Sequence, residues 1–318
     1  MTPFARPFRR LGRLRAALAV AAAAGLAAGA VVAGGGTHQR AQASDDAVLG
    51  VFGVPGWTAT EHVMRVGSLQ RAYLVAQPVG RVPGERLPVV VLLHGRNMTP
   101  ARMATTSGLL GGERAVVVLP AGYHRSWNAG GCCAAARAAH VDDVTFLTRV
   151  VGQVLADTPD ADARRVFLAG LSNGGRMAYR LACRRPTLFA AVAAVEAVSV
   201  DACRAVSAPV PLLVVTSTGD PILRQDDSAP RQVTEGVAQP SVDATVAAWR
   251  SLDHCGPTAP DERIGQLVAR RWVGCGNGVT VELDRYLGGS HHWPPGGGLT
   301  PSAQERIWSF FRAASATV

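Results

Sequence analysis

Ser172 stands between Gly170 and Gly174 in the stretch RRVFLAGLSNGGRMAYRLAC, residues 164–183, where an apolar run of strand character gives way at once to helical spacing. A GxSxG pattern alone says little in a chain with 35 glycines; its position between a strand and a helix makes it specific. A serine at the tip of a sharp strand-to-helix turn has strained torsions, and side chains on its neighbours would collide there. The turn lifts the hydroxyl above the sheet edge at the positive end of a helix. Such a hydroxyl attacks carbonyl carbon, provided a base takes its proton and an acid orients the base.

In a parallel sheet of this kind those partners come later in the chain, acid before histidine. Asp220, in Gly219-Asp220-Pro221, follows the apolar run Leu212 to Thr216, and is preferred as the acid over Asp201, Asp226 and Asp227. Past the last strand-like run comes Gly288-Gly289-Ser290-His291-His292-Trp293-Pro294. One of the two adjacent histidines accepts the serine proton and the other lines the cleft; spacing alone leaves open which. His94, His124 and His140 are spread over other loops and form no three-ligand pattern, so no metal site is expected. Charge developing on the substrate oxygen requires preformed donors. Asn173 offers its backbone N–H at the helix start, and the loop His94-Gly95-Arg96-Asn97 offers that of Arg96. Removing one such donor costs about 3 kcal/mol in the transition state.

The elements that must hold these residues read as a single α/β domain. Val89 to Leu93, Ala115 to Leu119, Val166 to Leu171, Ala190 to Val195 and Leu212 to Thr216 are short and continuously apolar, as strands buried on both faces of a parallel sheet are. Helices are predicted at Val141 to Leu155, Asn173 to Cys183 and Val242 to Ser251. Glu61 to Val66 and Arg71 to Ala76 read as an edge hairpin, and Val279 to Tyr286 as a late strand before a final helix with Thr300 as its cap and Pro301 in its first turn. The expected architecture is a mainly parallel sheet with helices on both faces and no large lid.

The amino terminus carries Arg6, Arg9, Arg10, Arg13 and Arg15, then an uncharged run from Ala16 to Ala33, then Ala41-Gln42-Ala43. This is the layout of a signal peptide over 1–43, with a flexible mature start over 44–58 and one catalytic domain over 59–318; no stable membrane anchor is expected once the leader is cleaved. Of the formal charge of +9, six positive charges come from those five arginines and Arg40, which leaves +3 for the remainder. There is no lysine, and the remaining arginines are scattered, which gives no footprint for nucleic acid. Six cysteines in an exported chain suggest disulfides, with Cys255 to Cys275 the preferred pair; adjacent Cys132 and Cys133 are not expected to bond to each other.

In order along the chain, VVVLLHGR, SWNAGGCC, HVDDVTFL, GLSNGGRMAYRLAC, GDPI and GGSHHWP resemble the secreted polyhydroxybutyrate depolymerase and feruloyl esterase family of α/β hydrolases, from about residue 60 onward. The resemblance implies Ser172 as nucleophile, Asp220 as acid and a carboxylic ester as substrate. Its closing Gly-Gly-Gly-His-x-Trp-Pro motif selects His291 as base and leaves His292 at the variable position. Where the family commonly has cysteine after His-Gly, this chain has Arg96, whose backbone alone is asked to donate. Asp142 and Asp143, in the family's Asp-Asp-Val motif, read locally as helix-capping acids. Trp127 and Trp293, aromatics on glycine-rich loops near the catalytic edge, are candidates for substrate binding beside His292. No cofactor is implied. An acyltransferase with the same triad and a non-catalytic secreted binding protein on a hydrolase scaffold are the alternatives.

Overall fold

The apolar runs become the centre of a ten-stranded sheet in a computed structural model that describes residues 53–80, 82–201, 203–228 and 233–315. In chain order the strands are β1 (Trp57–Val66), β2 (Leu69–Pro78), β3 (Leu87–Leu93), β4 (Val116–Pro120), β5 (Ala161–Leu171), β6 (Ala191–Val195), β7 (Leu212–Ser217), a small hairpin β8 (Val233–Thr234) and β9 (Val237–Ala238), then β10 (Glu262–Ile264), β11 (Leu267–Trp272) and β12 (Val281–Tyr286). The large sheet runs β1-β2-β4-β3-β5-β6-β7-β12-β11-β10. The strands from β4 to β12 in that order are parallel, and an antiparallel hairpin closes each end.

Alternation along each central strand divides the core in two. Val89, Val91 and Leu93 of β3 face one layer, while Val90 and Leu92 face the other. The first layer is covered by α3 (Asp143–Asp157), α4 (Asn173–Arg184) and α5 (Val242–Leu252) through Phe146, Met177, Leu181 and Trp249. On the second lie α1 (Pro100–Ser107) and α6 (Ala303–Ser315), which contribute Met103, Ile307 and Phe311; a five-residue α2 (Ala134–Ala138) sits in a loop between them in sequence. Phe311 stacks on Phe167 at 4.4 Å between ring centroids. Each side chain of that size stabilises the fold by about 1.5–3 kcal/mol on burial. No helix of the described residues is long and apolar enough to cross a membrane.

Several expectations change. The expected signal peptide, 1–43, and residues 44–52 lie outside the described residues, but Trp57 and Thr58, placed in the flexible start, already belong to β1, and Trp57 is buried. The cap of α6 is Ser302, not Thr300. Ser302 Oγ accepts from the Glu305 N–H at 3.2 Å while Glu305 accepts from the Ser302 N–H at 2.6 Å, a reciprocal capping box. Thr300 Oγ1 instead accepts from the Gln266 N–H at 2.8 Å. Strands β10 and β11 were not expected, because Arg270 and Arg271 interrupt the apolar pattern; paired to Asp261 and Glu282, they sit on the sheet at little cost. Cys255 pairs with Cys275 as expected, and Cys183 with Cys203. Cys132 and Cys133 pair with each other, against the expectation that adjacent cysteines would not.

Candidate active site

The sharp turn expected at Ser172 forms at the junction of β5 and α4. Ser172 has φ 53° and ψ −115°, a left-handed backbone that costs about 1–3 kcal/mol and persists only where its surroundings hold it. They do so by proximity. A Cβ on Gly170 would lie 2.4 Å from the Gly174 carbonyl oxygen, and one on Gly174 would lie 2.3 Å from that of Leu93. The Ser172 N–H donates to the Val195 carbonyl on β6 at 2.8 Å, which ties the turn to the neighbouring strand.

Asp220 and His291 come from the loops after β7 and β12, which are adjacent parallel strands on the same side of β5. His291 Nε2 is 2.8 Å from Ser172 Oγ, and its Nδ1 is 2.6 Å from Asp220 Oδ2. Asp220 Oδ1 accepts from the N–H groups of Ile222 at 2.7 Å and Leu223 at 3.2 Å. Burial pushes its carboxyl up, but hydrogen bonds from His291, Glu196 and Ile222 outweigh that and hold it below the usual aspartate range. An ionised Asp220 requires the proton on Nδ1, so Nε2 presents its lone pair to the serine. His292 points elsewhere, its Nδ1 2.7 Å from Ser290 Oγ. The competing acids are engaged away from the imidazole: Asp201 with Arg180 and Arg184, Asp227 with Arg224, and Asp226 with Ser228.

The loop after β3 lies against the same serine, with a Cβ on Gly95 falling 3.6 Å from Ser172 Cβ. Its N–H groups are shaped by a buried histidine. His94 Nδ1 donates to the Gly95 carbonyl at 2.8 Å, and Nε2 accepts from the Gly122 N–H at 2.9 Å. Burial holds this imidazole below the ordinary histidine range, as a neutral ring with one donor and one acceptor requires. The Arg96 side chain reaches outward to Glu235 on the turn between β8 and β9, at 3.5 Å.

Trp127 departs from the sequence reading. It is wholly buried and does not line the cleft. Its indole N–H donates to the His94 carbonyl at 2.9 Å, its ring packs against the His94 imidazole, and its main chain is held by Asn173. Asp142 does cap α3, accepting from the Thr145 N–H at 2.9 Å. Asp143 does more than expected: it forms a buried ion pair with Arg71 at 2.7 Å and accepts from the Asn128 N–H at 2.8 Å, beside Trp127.

A cleft of about 310 Å³ opens above Ser172, walled by Arg96, Met98, Arg102, His291, His292 and Trp293. Trp293 and His292 also border a neighbouring hollow of about 520 Å³ lined by Tyr286, Leu287, Pro294 and Pro295. Glu196 was missed by the sequence reading. It sits just past β6, wholly buried, and Glu196, Asp220 and His291 each place a polar atom within 4.8 Å of the others. Both nitrogens of His291 already face protein partners, so this cluster reads as a line of interacting side chains behind Ser172 rather than a cation site. The available signal was an acid directly after the apolar run AVAAV, at the carboxyl edge of a buried strand.

A mainly parallel sheet that gathers a hydroxyl, an imidazole and a carboxylate at the carboxyl edge of its strands is the arrangement of the α/β hydrolases. Residues 70–241, more than half of the chain, match the family described as "Putative esterase"; the chain belongs to that family and is an ester hydrolase. It is 29% identical over 262 residues to "Putative esterase NocK" of Nocardia uniformis, covering 75% of each chain. To feruloyl esterase C of Emericella nidulans it is 29% identical over 204 residues, covering 63% of this chain and 65% of that one. The solved ferulic acid esterase of Anaeromyces mucronatus superposes with a TM-score of 0.52 at 16% identity, over 86% of this chain and 97% of that one. An acetyl xylan esterase from Aspergillus awamori gives 0.51 at 13% identity, over 80% and 99%. At such identities the two structures establish the shared fold.

Proposed function

We propose that this chain is an exported serine esterase that cleaves carboxylic esters through an acyl-enzyme. The observation that carries this reading is His291 lying 2.8 Å from the Ser172 hydroxyl and 2.6 Å from the Asp220 carboxylate. Ser172 Oγ attacks the ester carbonyl as His291 Nε2 takes its proton; the tetrahedral oxyanion is met by the N–H groups of Arg96 and Asn173. Collapse breaks the bond to the alcohol, which leaves with the proton from His291. Water then gives a proton to His291, attacks the acyl carbon and frees the acid, and Ser172 regains its hydrogen. Asp220 keeps the imidazole in the tautomer this requires.

For the substrate, the relatives named as feruloyl esterases and the aromatic wall at Trp293 support esters of hydroxycinnamic acids over hydroxybutyrate oligomers. The leader sequence at 1–43 and the disulfides Cys183–Cys203 and Cys255–Cys275 support export to an oxidising compartment. The test is a panel of methyl ferulate, acetylated xylan, hydroxybutyrate oligomers and graded aliphatic p-nitrophenyl esters, run on the wild type and on Ser172→Ala. Turnover that favours methyl ferulate and disappears in the variant is expected. A variant as active as the wild type would overturn the serine mechanism, and preference for hydroxybutyrate oligomers would overturn the substrate assignment.

A further inference from the structure

Glu196 is a carboxyl group in a place that ordinarily excludes one. It lies at the end of β6 with no accessible surface, its N–H donates to the Val215 carbonyl at 2.8 Å, and its backbone has φ 45°. Oε2 is 3.4 Å from Thr216 Oγ1, whereas Oε1 is buried without a well-formed hydrogen bond. The groups that face it are Ser217 and Thr216 on β7, Asp220 on the following loop, and His291 beyond Asp220. Among the described residues no cation faces Glu196 directly; Arg176 on α4 acts on Asp220 instead.

Two carboxyls buried this close do not both ionise, so one keeps a proton between them. The surroundings decide which. Asp220 receives three N–H donors, from His291, Ile222 and Leu223, so the negative charge belongs there. Glu196 receives the Thr216 hydroxyl at 3.4 Å and contacts from the hydroxyl and N–H of Ser217, which burial and the neighbouring Asp220 outweigh, so the proton belongs on Glu196, which can donate it to Asp220. Burial, then the contact with Asp220, push the Glu196 carboxyl up to about 9, in accord with that division.

We propose that Glu196 is a positioning residue for the ester-hydrolysing reaction, a neutral acid whose hydrogen bond to Asp220 keeps that carboxylate ionised and aimed at His291. The inference rests on the reading of Ser172, His291 and Asp220 as a catalytic triad. It has a consequence that mere filling of space lacks. When Glu196 loses its proton, a donor becomes a second buried negative charge beside Asp220, and the geometry that orients His291 is lost.

The experiment is the pH dependence of kcat and kcat/KM for wild type, Glu196→Gln and Glu196→Ala on a p-nitrophenyl ester, with Ser172→Ala as control. The wild type is expected to lose activity as pH rises through about 9. Glu196→Gln keeps an N–H donor but does not ionise, so its activity should persist above that limb. Glu196→Ala should lower kcat roughly ten- to hundredfold with KM within about twofold, the scale of one hydrogen bond to a charged group, and glutamine should recover most of that loss. An alkaline limb identical in wild type and Glu196→Gln would overturn the proposal, as would an alanine variant with wild-type kcat and pH profile. If the alanine variant does not fold, the glutamine limb decides. Ser172→Ala with undiminished activity would instead refute the triad itself, so the two failures are distinguishable.

Discussion

Asn173 clasps the main chain of Trp127 from both sides: its Oδ1 accepts from the Trp127 N–H at 2.8 Å, and its Nδ2 donates to the Trp127 carbonyl at 3.0 Å. The residue whose backbone N–H serves the proposed oxyanion site thus uses its side chain to hold the tryptophan that supports the opposing His94 loop. The two halves of that site are braced against each other through one buried amide.

Replacing Asn173 with alanine leaves its backbone N–H in place but frees Trp127. Preformed donors act only while they are held, so kcat should fall by roughly ten- to hundredfold with a small change in KM. Steady-state kinetics on p-nitrophenyl acetate would reveal this; a purely local role for Asn173 would leave kcat near the wild-type value.

The buried pair Arg71–Asp143 anchors the other end of the same brace, at Asn128. Asp143→Ala leaves an uncompensated guanidinium in the core and two unmet N–H groups. The expected loss is about 3–5 kcal/mol of stability, seen as a fall in the midpoint of urea unfolding. A change below about 1 kcal/mol would mean the site relaxes or admits water.

Glu196 also makes a signed prediction for stability. Burial pushes its carboxyl up to about 9 in the folded chain, above the ordinary glutamate value of 4.5. Between those limits the folded state keeps a proton that the unfolded state has released, so this group's contribution is fully present below 4.5 and declines as pH rises toward 9. Glu196→Gln removes that dependence, and the Tm difference, glutamine variant minus wild type, should grow steadily more positive from pH 5 to pH 9. A difference that stays constant across that range would show the two states binding the same proton.

Trp293 walls both the cleft and the adjoining hollow. Truncation to alanine should raise KM for methyl ferulate several-fold more than for p-nitrophenyl acetate, because stacking of an aromatic acyl group is worth about 0.5–1.5 kcal/mol beyond its buried area. Equal effects on both esters would place the aromatic ring of the substrate elsewhere.

The disulfide Cys255–Cys275 closes a loop with a sequence separation of 20. Replacing both cysteines by serine should cost about 3 kcal/mol, measured as a lower denaturant midpoint.

The strand-helix-strand order, the glycine-flanked serine and the order of acid and histidine were legible because each depends on local pattern. Continuous apolar runs mark strands buried on both faces, and glycine marks the tight turn. Where a side chain's surroundings come from distant segments, the local signal misled. Trp127 sits on a glycine-rich loop that suggested an exposed aromatic, yet its partners His94 and Asn173 turn it inward. Thr300 and Ser302 are both good caps by type, and only the reach of Glu305 back to Ser302 separates them.

By itself, the sequence determined the class of fold, the turn that carries Ser172 and the candidate partners, since these follow from periodicity and torsional preference within a few residues. The tertiary structure alone decided that a neutral His94 shapes the loop beside the serine and that Glu196 stands behind Asp220. It also places His291 against a hydroxyl 119 positions earlier in the chain. Those relationships arise from the lateral order of β3, β5, β6, β7 and β12, and lateral order is set by packing across the whole sheet rather than by any one segment.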